Sequence, residues 1–196
     1  MQKRIIQQID AHLQTVRDIS SDTQLIQNVE KSIELLIQCF KADNKVLLCG
    51  NGGSAADAEH LAAELSGKFK LNRKALFAEA LHVNGAALTA IANDFSFSQV
   101  FERMVEAKTK SGDTLIAFST SGQSQNVIKA IKKALDNQCN IISFSGLTAD
   151  LGQYHRGIHF KIPSSDTARI QEMYMMICHI ICEELEKNLF DNEEDA

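Results

Sequence analysis

Five short apolar runs, most of them closed by a glycine- or serine-rich turn and then a helical pattern, constrain this 196-residue chain more than any other feature. They are Lys45–Cys49, Leu76–Leu81, Thr114–Phe118, Asn140–Phe144 and Ile158–Ile162. Strands this short and this apolar are buried on both faces, the pattern of a parallel sheet whose crossovers are helices. Two helices are predicted before the first strand. Ile5, Ile6, Ile9, Leu13 and Val16 share one face of a helix over 2–17, and Leu25, Ile26, Val29, Ile33, Leu36, Ile37 and Phe40 form the stripe of a second. Asp22 is placed to cap that second helix, and Asp43-Asn44 ends its pattern. A last long helix is predicted over Thr167 to Asn188, and the sole proline, Pro163, falls just before it, where a missing N–H costs least. The expected fold is a three-layer α/β sandwich with a five-stranded parallel sheet flanked by helices and an N-terminal helical hairpin. It reads as one domain: N-terminal helices over 1–42, an α/β core over 43–190 and a frayed acidic tail over 191–196.

Composition excludes several function classes. A net charge of −5 argues against a phosphate-backbone binder, which needs a dense basic face, so no nucleic acid partner is expected. Lys68, Lys70, Arg73 and Lys74 do cluster, and read mainly as solvated surface. Cys39, Cys49, Cys139, Cys178 and Cys182 are odd in number, scattered and set mostly in apolar runs, which predicts reduced core residues. No apolar stretch approaches the ~20 residues of a membrane span, so no membrane partner is expected. Residues 1–17 are polar and amphipathic without a cleavable apolar segment, which predicts the cytoplasm.

Two loops and two helices carry candidate chemistry. Gly50-Asn51-Gly52-Gly53-Ser54 follows the first strand and opens an Ala-rich helix, where unpaired N–H groups and the positive dipole end suit an anion or a polyol. Taken alone, such a turn serves tight packing equally well. Ser119-Thr120-Ser121-Gly122-Gln123-Ser124 follows the third strand, and a helix over Val127–Leu135 comes next. One serine would suffice for a cap. Four hydroxyls in six residues are a surplus that can saturate the oxygens of a phosphate monoester. Neither loop has a dinucleotide or nucleoside-triphosphate pattern. Both lie at carboxyl ends of strands, the edge of an open parallel sheet where small ligands bind. On the helix after the first loop, His60 and Glu64 are four residues apart and share a face with Asp57, a stripe equally expected of a wet surface. In the last helix, Gln171 and His179 are eight apart, about two turns, and His179 sits in an apolar run where a satisfied core histidine is the plainer account.

Together these segments resemble the sugar isomerase (SIS) superfamily, and within it the phosphoheptose isomerase family, over nearly the whole chain. The most specific pieces are Cys49 to His60, Glu64, Ala92-Asn93-Asp94-Phe95, Ser119-Thr120-Ser121-Gly122 and Arg169-Ile170-Gln171-Glu172 with His179. The resemblance implies an aldose–ketose isomerase that converts sedoheptulose 7-phosphate to D-glycero-D-manno-heptose 7-phosphate through an enediol, for the heptose of the bacterial outer envelope. It implies substrate contacts from Asn51, Gly52, Gly53, Ser54, Glu64, Asn93, Asp94, Ser119, Thr120, Ser121, Ser124 and Gln171, and catalysis by Glu64 and His179. It also implies one zinc ion per subunit on His60, Glu64, Gln171 and His179, and a homotetramer with shared sites. Gln123, Lys68-Phe69 and Tyr174 depart from residues common in that family, and Lys68 for Arg keeps charge while losing bidentate geometry. The alternative is a non-catalytic SIS protein that binds the DNA replication initiator. Relatives of that kind lack the catalytic Glu and His that Glu64 and His179 supply here.

Overall fold

Each of the five apolar runs forms a strand: β1 (Val46–Cys49), β2 (Ala78–Ala80), β3 (Thr114–Phe118), β4 (Asn140–Gly146) and β5 (Ile158–Ile162). They make one sheet in the order β2-β1-β3-β4-β5, with every pairing parallel. The structure is a computed structural model that describes residues 1–190, so the expected acidic tail over 191–196 lies outside the described residues.

The N-terminal hairpin is α1 (Gln2–Ser21) and α2 (Thr23–Lys41). Asp22 caps α2 as expected, its carboxylate accepting from Gln24 and Leu25 N–H at 2.8 and 3.1 Å. The remaining helices are α3 (Gly53–Ser66), α4 (Gly85–Asp94), α5 (Val100–Lys108), α6 (Gln125–Asp136) and α7 (Thr167–Phe190). No expectation covered α4 and α5. The run expected over Leu76–Leu81 shortens to β2, because its chain turns into a 3₁₀ turn at Leu81–Val83. β4 runs two residues past Phe144, where Ser145 and Gly146 pair with Lys161 and Ile162 of β5.

Alternate residues of β1, β3 and β4 feed two cores, while β2 and β5 contribute to one. On one face Val46, Leu48, Ile116, Phe118, Phe144 and Phe160 pack against α2, α3 and α7. In-register pairing stacks Phe118 on Phe144 and Phe144 on Phe160, with ring centroids 5.0 and 4.5 Å apart, and Tyr174 of α7 leans on the first two. On the other face Leu47, Cys49, Leu115, Ala117 and Ile141 pack against α5 and α6. The result is the expected three-layer sandwich. All five cysteines are free and buried. No helix among the described residues is long and apolar enough to cross a membrane.

This strand order places the ligand edge. From β1 the chain goes to β2 on one side and then crosses to β3 on the other, so the loops after β1 and β3 flank the point where the winding reverses. That is where open α/β sheets leave a crevice at the carboxyl ends of their strands.

Candidate active site

Both loops expected to bind ligand meet at that crevice. Asn51, Gly53 and Ser54 from the first, Ser119, Thr120 and Ser124 from the second, and Thr167 and Gln171 from α7 line a cavity of about 270 Å³. An amide pair sews the loops together: Asn51 Nδ2 donates to Asn126 Oδ1 at 2.9 Å, and Asn126 Nδ2 returns a bond to Asn51 Oδ1 at 2.8 Å. Asn51 thus fixes one loop to the other through its side chain. Gly52 has φ of +56°, a conformation that favours glycine, and a Cβ on Gly53 would sit 2.5 Å from Gln171 Nε2, so a side chain there would displace the Gln171 amide from the cavity.

The serine cluster is not spent on capping. Ser124 holds the N-cap position of α6, yet its side chain makes no capping bond. Its hydroxyl instead accepts from Ser119 Oγ at 3.0 Å. These hydroxyls and the N-terminus of α6 give the cavity donors that could hold an anion, with no lysine or arginine in its lining. Ser121 and the pair Asn93 and Asp94 are not in that lining. Ser121 is exposed and accepts from Gln123 N–H at 3.3 Å, while Asn93 donates to Asp94 at 2.9 Å on the surface at the end of α4.

A second cluster lies farther along the same two helices. His60 Nε2 is 3.1 Å from Glu64 Oε1 on α3, and His179 Nε2 of α7 is 3.4 Å from His60 Nε2. All three donor atoms lie within 4.8 Å of one another. The Gln171 amide, expected as a fourth ligand, has its nitrogen 3.4 Å from Ser54 Oγ beside the cavity. Phe69 covers one side of His179, with ring centroids 5.5 Å apart. Asp57, one turn before His60, is half-buried with one carboxylate oxygen unpartnered; burial raises its pKa to about 6, and His60 opposes the rise.

The helices α3 and α7 run side by side in the same direction: Gly53 meets Gln171 at the cavity, and His60 meets His179 farther on. At 1.5 Å rise per residue, the two clusters are roughly 10–12 Å apart along this seam.

The SIS domain family pattern matches residues 10–146. A phosphoheptose isomerase of Clostridium acetobutylicum is 45% identical over 195 residues, covering 100% of both chains. One of Helicobacter hepaticus is 44% identical, over 98% of this chain and 96% of its own. This chain belongs to the phosphoheptose isomerase family of SIS-domain proteins. Solved structures agree. A phosphoheptose isomerase of Neisseria gonorrhoeae superposes with a TM-score of 0.87 at 36% identity, covering 95% of this chain and 98% of its own. One from Francisella tularensis gives 0.90 at 29% identity, over 94% and 97%.

The fold also shows what reading along the chain missed. Asn126 ties the loops from the first turn of α6, and its partner is 75 residues away, so no local pattern marks it. Arg73 was grouped with the solvated cations. Its side chain is instead 1% exposed and paired with Glu186, a correction that follows from a partner 113 residues on.

Proposed function

We propose that this chain is a sugar-phosphate isomerase that interconverts sedoheptulose 7-phosphate and D-glycero-D-manno-heptose 7-phosphate, supplying heptose for the outer envelope from the cytoplasm. The observation that carries this reading is the single seam: an anion cradle at one level of α3 and α7, and a carboxylate with two imidazoles at the next. Seven carbons joined by ~1.5 Å bonds reach roughly 8 Å before the phosphate is added, which suits a gap of roughly 10–12 Å better than a short sugar does. The names of the full-length relatives point the same way. Nothing among those relatives supports binding of a replication initiator.

In this mechanism the loops hold the phosphate, with Ser119, Thr120 and Ser124 as donors, Ser121 turning in from outside the lining, and Asn51, Gly52, Gly53, Ser54 and Gln171 shaping the cavity. Asn93 and Asp94 would reach the sugar from α4. Glu64 removes a proton from C1 of the ketose while His179 protonates the C2 oxygen, giving the enediol. His179 then takes the proton of the C1 hydroxyl, and Glu64 returns its proton to C2, which leaves the aldose.

The same residues fit a metal ion. Donors about 2.0–2.1 Å from a tetrahedral zinc stand roughly 3.3 Å apart, and the two trio contacts are 3.1 and 3.4 Å. His60, Glu64 and His179 would hold zinc, and Gln171, turned to Ser54 in this structure, would have to swing toward them to serve as the fourth donor. Bound there, zinc would engage the lone pairs that Glu64 and His179 need for proton transfer, and would instead supply polarisation of the substrate carbonyl.

Assembly is part of the proposal. Ile5, Ile6, Ile9 and Leu13 on α1 are 45–54% exposed, an apolar face that a homotetramer would cover. In the single chain the His60 side chain is also 47% exposed, so a neighbouring subunit would complete the shielding of the site.

The test is an isomerase assay on C5, C6 and C7 ketose phosphates with Glu64→Gln and His179→Gln. Turnover is expected on the C7 sugar, and each variant should lose ~10²–10⁴-fold in kcat while still binding substrate. No turnover of the C7 sugar by the unsubstituted protein would overturn the assignment.

A further inference from the structure

One buried ion pair joins the segments that carry Glu64, His179 and Phe69. Arg73 Nε lies 2.7 Å from Glu186 Oε1, with the two side chains 1% and 2% exposed. Glu186 stands seven residues beyond His179 on α7, about two turns along the same face. Its carboxylate accepts three successive backbone N–H groups: Phe69 at 2.9 Å, Lys70 at 2.8 Å and Leu71 at 2.9 Å. Burial pushes the Glu186 carboxyl up, but these bonds and Arg73 outweigh it and hold it below the ordinary range.

The guanidinium spends its other donors on main-chain carbonyls. Nη2 donates to Glu64 O at 2.9 Å, and Nη1 donates to Leu65 O and Lys74 O, each at 3.0 Å, and to Gly67 O at 3.3 Å. Carbonyls in the last turn of a helix lack partners within it, so Arg73 closes the end of α3 while its Nε holds α7. A planar fork with five donors can do this, and an ammonium cannot. Ion pairs are costly to bury, and apolar packing would hold a loop at least as firmly. What the pair adds is registry: α3 cannot slide along α7 without breaking it.

We propose that Arg73 and Glu186 are positioning residues that set the separation between Glu64 and His179 and seat Phe69 on the His179 ring. This rests on the reading of Glu64 and His179 as the proton carriers. Neither Arg73 nor Glu186 lines the phosphate cavity, so their action is confined to the reacting end of the seam.

Arg73→Lys keeps the charge and removes the fork, and Glu186→Gln keeps the shape and removes the charge. The control is Lys70→Ala with Glu183→Ala, which deletes an exposed ion pair joining the same loop to the same helix. Turnover is expressed per binding site, with sites counted by calorimetric titration of a heptitol 7-phosphate, which has no carbonyl to react. This count removes any unfolded fraction, which would otherwise lower kcat without moving KM. Arg73→Lys is expected to lose on the order of 10²-fold in kcat per site, the scale of an ångström of misplacement, with heptitol phosphate affinity and KM held within about threefold. Glu186→Gln should match it, the double variant should be no worse than either single one, and the control should keep its kcat.

Near-normal kcat per site in folded Arg73→Lys would overturn the proposal, as would a loss appearing in KM or an equal loss in the control. Should Glu186→Gln fail to fold, Arg73→Lys decides alone. The outcome is separable from the mechanism it rests on: if Glu64→Gln and His179→Gln keep turnover, the proton carriers are wrong, whereas if they are inactive and Arg73→Lys is not, only the positioning role falls.

Discussion

Ser119 and Ser124 share a hydrogen bond across the mouth of α6, so their hydroxyls are already oriented before an anion arrives. A hydrogen bond to a charged group contributes about 1.5–3 kcal/mol, so Ser119→Ala or Ser124→Ala should raise KM for the phosphorylated sugar by roughly 10- to 100-fold. The drop in kcat should be much smaller, and steady-state kinetics would show the split. A loss confined to kcat would place these serines outside the phosphate cradle. The proposed metal site has its own test at this scale. Zinc content after mild purification should fall when His60→Ala removes one of the three clustered donors, and full activity in verified metal-free protein would make the ion dispensable. At single residues the chain was legible wherever chemistry is crowded locally. Four hydroxyls in six residues marked the loop that lines the cavity through Ser119, Thr120 and Ser124, and an i, i+4 His and Glu marked one half of the trio. Residues that act through a distant partner were not legible: Asn126, Arg73 and Glu186 look like any surface polar group until the fold supplies the other side of the bond.

Among the elements, the inner strands and α2 followed from apolar spacing because both faces of the strands and one clear stripe of the helix are buried, whereas the stripe that marks α1 stays exposed in the single chain. α4 escaped because none of its residues is buried, which leaves no stripe to read. The segment between β4 and β5 behaves differently again. Ser143 of β4 contacts His155 Nε2 at 2.7 Å and His159 Nδ1 at 2.8 Å, while Ser145 reaches His159 Nε2 at 3.1 Å. Burial lowers the His155 pKa to about 4, His159 adds to the effect, and Asp150 opposes it. Burial lowers His159 as well, again against Asp150. Both rings are therefore neutral in the fold at a pH where an unfolded histidine is charged. Stability from this cluster is fully present above about pH 6.5, the unfolded value, and is lost as pH falls toward about 4. The melting temperature should decline through that window, and His155→Gln should flatten the decline. An unchanged acid limb in that variant would mean that His155 is not the group responsible.

For the whole molecule, the exposed apolar face of α1 is the surface that bears on assembly. The hairpin is tied down at its start by Arg169 donating to Gln8 O at 3.0 Å and by His12 against Glu172 at 2.7 Å, so α1 is held in place while Ile5, Ile6 and Ile9 face outward. Ile9→Asp should split the proposed tetramer, seen as a fall in mass by light scattering at micromolar concentration. Its melting temperature should also become lower than that of the unsubstituted protein at equal concentration, because assembly stabilises by mass action. A monomeric mass for the unsubstituted protein would sink the tetramer.

The place of β1 in the sheet bears on how the chain is made. Of the five strands it is the first to leave the ribosome, all four of its residues are buried, and it needs both β2 and β3 to cover its edges. Those neighbours end at Ala80 and Phe118. At about 5–20 residues per second, the nascent chain carries an apolar strand with an open edge for roughly 4 to 14 s. Translation-arrested chains ending within α5 should therefore be cut readily by protease near β1, and protection should appear once β3 has emerged.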